Sequence, residues 1–154
     1  MFEDNANKRH DDDRVSRTSF LIDQMKKGMS FNEVIEDVKP AESLPSLLLK
    51  YTGRAGMSTE RMAEFAGLSR AAGYKIMNGK MRPEADSLIR LAFVLELNVE
   101  ETQALLKSGH RAMLSGGDQR DAAILYGLIN GLSLAEMDEL LEAKGFVTLV
   151  PPGK

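Results

Sequence analysis

The chain of 154 residues has no cysteine and no tryptophan, two histidines, five prolines and only 6% aromatic side chains. Without cysteine there are no disulfides and no thiolate metal sites, which fits a reducing compartment. His10 and His110 lie far apart in sequence, so a histidine-based metal site is not expected either. Long apolar runs are also missing: nothing reaches the roughly 18 uninterrupted residues that a membrane-spanning helix needs. The N-terminal stretch MFEDNANKRHDDDR is polar and acidic, unlike a secretory signal. The expectation is a cytoplasmic protein that does not engage a membrane.

What is present is a folded composition, 43% hydrophobic and 28% charged, with an uneven distribution of charge. The net charge of −3 conceals three blocks. Residues 1–43 carry seven basic and ten acidic side chains, residues 44–83 carry seven and two, and residues 84–154 carry six and eleven. A basic island between acidic flanks creates a local field to which a polyanion responds, whatever the overall charge.

Apolar spacing and capping residues predict an all-α chain. Residues 1–17, with the run Asp11, Asp12, Asp13, read as a disordered tail. An N-terminal helical extension spans 18–43. Its first helix carries Phe20, Leu21 and Met25 and stops at Gly28, and its second follows the capping box Ser30 to Glu33. Val34, Ile35 and Val38 are expected to form a buried face before Pro40. From 44 to 109 five helices are expected: about 45–53, then one capped by Ser58, one capped by Ser69, one bearing Leu88, Leu91, Ala92 and Leu95, and one opened by Asn98 with Glu101. Gly116-Gly117 reads as a linker to a helical hairpin over 118–150, with Asp118 and Ser133 as caps. The closing FVTLV is β-prone, either an edge pairing or extended chain.

The stretch AGLSRAAGYKIMNGKMRP, residues 66–83, carries the chemistry. Its Asn-Gly-Lys does not make a phosphate loop, because Met81 follows Lys80 and no strand precedes it. A hairpin fails because Pro83 and its polar neighbours spoil the second strand. A helix-turn-helix remains: Ala63 at the crossing point, Gly67 in the turn, Leu68 and Ile76 as core plugs, and a short second helix closing on Asn78-Gly79. Arg70 and Lys75 have the donors to read guanine O6 and N7, and the methyls of Ala71 and Ala72 suit a thymine methyl. Lys50, Arg54, Arg61, Lys80 and Arg82 would supply phosphate contacts, giving a slope of log K against log salt of about −4 per monomer.

The spacing Ser58, Ala63, Gly67, Ile76, Gly79, Pro83 resembles the Cro and phage-repressor type of DNA-binding domain, the XRE family, over about Leu44 to Leu106. The resemblance implies a five-helix lambda-repressor-like domain flanked by short N-terminal helices and the C-terminal hairpin. It implies a transcriptional regulator, a repressor that occupies a promoter as a homodimer on double-stranded DNA. Position by position it adds Tyr74 to the base-reading face formed by Arg70, Ala71, Ala72 and Lys75. It adds Ser58, Thr59 and Asn78 to the phosphate contacts, together with Arg61, Lys80 and Arg82. Thr59 stands where the family often has Gln, which weakens or replaces that contact. Gly73 stands where the family puts Val or Ile into the core. A helical glycine costs about 1 kcal/mol relative to Ala, so either Tyr74 tilts inward or the helix is marginal until DNA orders it.

No paired carboxylates, activated nucleophile or metal-ligand spacing stands out, so neither an enzyme nor a cofactor is expected. The competing class is a protein-interaction adaptor or antitoxin-like subunit that keeps the fold and meets a protein partner through its acidic flanks. Arg90 and Lys107 are expected to be surface partners of carboxylates, and Arg120 a capping or ion-pairing residue. The hairpin, rich in Leu and Ile, is expected to pack on the core or on a second copy. Deleting 117–154 is expected to leave a foldable domain.

Overall fold

The computed structural model describes residues 17–38 and 40–152, so the expected tail lies, apart from Arg17, outside the described residues. Every regular element among the described residues is helical, and none of these helices is long and apolar enough to cross a membrane. The chain divides into two compact units, residues 1–41 and 42–154.

In the first unit residues 17–26 form a helix, α1. It stops at Gly28, whose φ of +106° lies in the region that side chains disfavour. The helix α2, Phe31–Asp37, is opened by a complete capping box: the Glu33 amide donates to Ser30 Oγ, and the Ser30 amide donates to the Glu33 carboxylate. The buried face expected on α2 is not buried. Val34 is half-covered, while Ile35 and Val38 are 58% and 51% exposed. The periodicity was legible, but two helices this short enclose no interior.

The second unit begins with α3, Leu44–Ala55, capped by Ser43, with Pro45 in its first turn and its face of Leu44, Leu47, Leu48 and Tyr51 buried. Next come α4, Thr59–Phe65, and α5, Arg70–Met77. The helix α6, Ala85–Val94, is the central post, with every residue from Ser87 to Phe93 buried. It is followed by α7, Val99–Ser108, which has the Asn98–Glu101 capping box. The pair α8, Gln119–Ile129, and α9, Leu134–Ala143, completes the order. Five helices thus lie between Leu44 and Ser108.

The hairpin of α8 and α9 is part of the core. Ile124, Leu128, Met137 and Leu141 belong to the same buried cluster as Leu48, Met62, Ile76 and Leu88. Gly127 allows this, since a Cβ there would lie 2.3 Å from Met137 Sδ. The FVTLV segment is not a strand; it is irregular chain that bends at Leu149 and Val150. The Asp138 carboxylate accepts from the amides of Leu149 and Val150 at 2.6 and 3.0 Å, and Leu149 is fully buried.

Arg90 is a buried staple, contrary to the surface role expected of it. Its Nε donates to the Ala66 carbonyl at 2.7 Å, and its Nη1 donates to the Leu149 carbonyl at 2.8 Å. One guanidinium therefore ties the end of α4 to the C-terminal segment. Burial pushes its pKa below the ordinary value, and the charges of Asp86 and Asp138 oppose that shift. Arg120 does take an ion-pairing role, gripping Asp86 with two donors at 3.0 and 3.1 Å and donating to the Val147 carbonyl.

Deleting 117–154 removes side chains that close the core, so the truncated chain should not fold, in contrast to the expectation from sequence. Leu141→Ala in the full chain should cost about 2–5 kcal/mol by the cavity it opens. Urea unfolding followed by circular dichroism checks both outcomes.

Candidate nucleic-acid interface

Local hydrogen bonding builds α4 and α5 as a pair. Ser58 Oγ accepts from the Arg61 amide at 3.2 Å and Ser69 Oγ from the Ala72 amide at 3.0 Å, so each helix starts on a serine cap. Between them Gly67 takes φ +69°, and the Leu68 amide returns to the Ala63 carbonyl at 2.8 Å. At the far end of α5 the Lys80 amide donates to the Lys75 carbonyl at 2.8 Å across Gly79, which has φ +72°. The Asn-Gly-Lys stretch is therefore a helix C-cap.

Gly73 marks the crossing of the two helices. A Cβ on it would stand 2.8 Å from Ala63 Cβ. The hole expected there does not exist, because the backbones approach until the space is gone. Tyr74 does not tilt inward; it is 43% exposed and its hydroxyl donates to the Glu60 carboxylate. With Gly73 and Ile76 buried, Arg70, Ala71, Tyr74 and Lys75 face outward, and Ala72 is half-buried.

The residues expected on phosphate fall into two groups. Ser58, Arg61, Asn78 and Lys80 are exposed, and Thr59 is half-buried beside Gly73. Lys50 is also exposed, its ammonium 5.9 Å from the Tyr51 ring centre, and the Arg61 guanidinium lies 6.0 Å from the Phe65 ring centre. Arg82 is committed elsewhere: its Nε donates to the Gly109 carbonyl at 3.1 Å and its Nη2 to the His110 carbonyl. Arg54 meets the Glu101 carboxylate with two donors at 2.5 and 3.1 Å. The competing partners of Arg54 and Arg82 lie 47 and 28 residues away along the chain, beyond the reach of local pattern.

The bond from Arg54 outweighs the opposing effect of burial and, with a lesser contribution from the Asn98 amide, holds the Glu101 carboxyl below the ordinary carboxylate value. Glu136 is lowered likewise by its hydrogen bonds to Ser133. Neither Glu60 nor the second role of Glu101 carries a sequence signal, since each depends on a helix neighbour brought close only by folding. A separate open groove of about 450 Å³ is lined by Phe65, Phe93, Leu97, Leu128 and Leu134, with no residue of α5.

Gly73→Ala should lower the thermal midpoint although alanine is the better helix former, because overpacking at the crossing costs about 1–3 kcal/mol. Gly73→Val should lower it further, and a raised midpoint for either would contradict the crossing. For pH, a carboxylate whose pKa is lowered by folding stabilises the fold above its unfolded value and loses that contribution as pH falls through the folded one. Stability should therefore decline below about pH 4.5, the ordinary glutamate value, and Glu101→Gln should flatten that decline in an acid titration of the unfolding midpoint. Comparison with protein-family models, curated proteins and solved structures returned no match, which leaves the geometry of α4 and α5 to carry the functional reading.

Proposed function

We propose that the chain is a sequence-specific double-stranded DNA-binding protein of the lambda-repressor-like helix-turn-helix kind, a transcriptional repressor that acts by occupying a promoter. The observation that carries this reading is the disposition of α5. Its small and apolar residues, Gly73 and Ile76, are inside, and Arg70, Ala71, Tyr74 and Lys75 are outside on a helix capped cleanly at both ends. A short capped helix with that outer face suits a major groove: Arg70 and Lys75 donate to guanine, and Ala71 packs on a thymine methyl. Tyr74, tethered to Glu60, supplies ring surface more than a free hydroxyl.

Lys50, Arg61 and Lys80 then supply the charged contacts to phosphate, with Ser58, Thr59 and Asn78 as neutral donors. Arg54 and Arg82 drop out because their guanidinium groups are already engaged. One such helix reads few base pairs, so two copies on half-sites about one helical turn apart are required for useful specificity. A second reading, a protein-interaction adaptor or antitoxin-like subunit, draws on the open groove beside Phe65, whose lining mixes apolar side chains with Glu96, Ser133 and Glu136.

Selection of bound sequences from a pool of random duplexes, then gel shifts on the recovered site, separates the two readings. Regulator behaviour means a shared motif and a salt slope of about −3 per monomer, smaller in size than the −4 expected from sequence. Arg70→Ala and Lys75→Ala should each weaken the selected site by about tenfold, within the 1–3 kcal/mol of a base contact. Lys80→Ala should weaken all duplexes alike and reduce the slope by about one. Absence of binding, or binding indifferent to salt, supports the adaptor.

A further inference from the structure

Among the described residues, the helices of the N-terminal unit carry an apolar surface that stays exposed. None of residues 17–38 is buried. Six large apolar side chains stand in solvent: Phe20 at 63%, Ile22 and Met25 at 42%, Phe31 at 78%, Ile35 at 58% and Val38 at 51%. On α2 Phe31, the half-covered Val34 and Ile35 follow the spacing of one helix face, and Val38 is the extended residue that ends the helix. Helices of two or three turns are marginal in water, and their stability comes from packing such a face against something.

The charges indicate what that something is. In α1 the ionised residues are Arg17, Asp23 and Lys26, and Lys27 follows in the turn, which leaves this half basic with two lysines at its C-terminal end. In α2 they are Glu33, Glu36 and Asp37, all acidic. All seven are exposed. A basic helix followed by an acidic one is complementary to itself under a two-fold axis, because in an isologous contact each copy offers both halves of the match. An acidic or basic foreign surface would suit only one of the two helices.

We propose that residues 17–38 are the homodimerisation surface of this protein, with the apolar stripe of α2 seated on the matching unit of a second copy and Lys26 and Lys27 of each copy facing Glu36 and Asp37 of the other. This deepens the reading above only where it calls for two copies, and it stands whether or not α5 meets DNA. It also moves the pairing role away from the α8–α9 hairpin, whose Ile124, Leu128, Met137 and Leu141 are in the core while Tyr126, Ile129 and Leu140 stay exposed.

Sedimentation equilibrium of the full chain without DNA, over roughly three decades of concentration, should give a reversible monomer–dimer equilibrium. Ile35→Asp should abolish the dimer, because an unpaired carboxylate would be buried. The unfolding transition of the larger unit should be unchanged, which shows that the variant still folds. The double variants Lys26→Glu/Lys27→Glu and Glu36→Lys/Asp37→Lys should each dimerise about tenfold more weakly, or worse. Mixed, they should form a heterodimer as tight as the original. A monomeric full chain overturns the proposal, as does a dimer that survives Ile35→Asp or charge-reversed chains that pair as the parent does. Gel shifts on the recovered site remain a separate readout, so failure of the dimer surface and failure of DNA binding are distinguishable.

Discussion

The approach of Ala63 to Gly73 is the contact on which the candidate interface depends. A methyl facing a bare Cα lets α4 and α5 cross with their backbones close, so that α5 is held by its inner residues and by the one outer bond from Tyr74 to Glu60. Because so little of α5 is needed for adhesion, a polar and basic outer face is left free. The crossing is reinforced from behind: Arg90 takes the carbonyl of Ala66, the last turn of α4, and holds Leu149 with the same guanidinium. Asp138 and the buried Leu149 side chain fix the C-terminal segment in turn. The α8–α9 hairpin is thus a buttress for the helix pair as well as a lid on the core.

Local features of this arrangement were legible in the sequence to the degree that they are local. Serine and asparagine caps at 30, 58, 69, 98 and 133, and Asp118, act within three residues, and each forms the hydrogen bond its position implies. The glycines at 28, 67, 79 and 131 take positive φ for the same short-range reason. Arg90 was not legible, because a charged residue on an apolar helix gives no sign that two distant carbonyls await it. Gly73 was misjudged for a related reason. Helix propensity and a missing core side chain both count glycine as a loss, and only the position of Ala63 turns it into a requirement.

The candidate interface divides along the same line. Outward orientation of Arg70 and Lys75 follows from the apolar spacing around Ile76 and was readable. Whether a particular arginine is available was not, since Arg54 and Arg82 have the same composition signal as Arg61 but are engaged by Glu101 and by the Gly109–His110 turn. An exposed ion pair such as Arg54–Glu101 contributes little to stability; its larger effect is to remove one cation from the surface that a polyanion would meet.

The central claim is that the outer face of α5 meets duplex DNA. Amide chemical-shift mapping of the full chain on addition of a duplex carrying the selected motif tests it most directly. Shifts concentrated between Ser69 and Lys80, with smaller ones at Ser58 to Arg61, are the predicted result. Shifts centred on the acidic α8–α9 hairpin or on the groove beside Phe65, with α5 unmoved, would contradict the account.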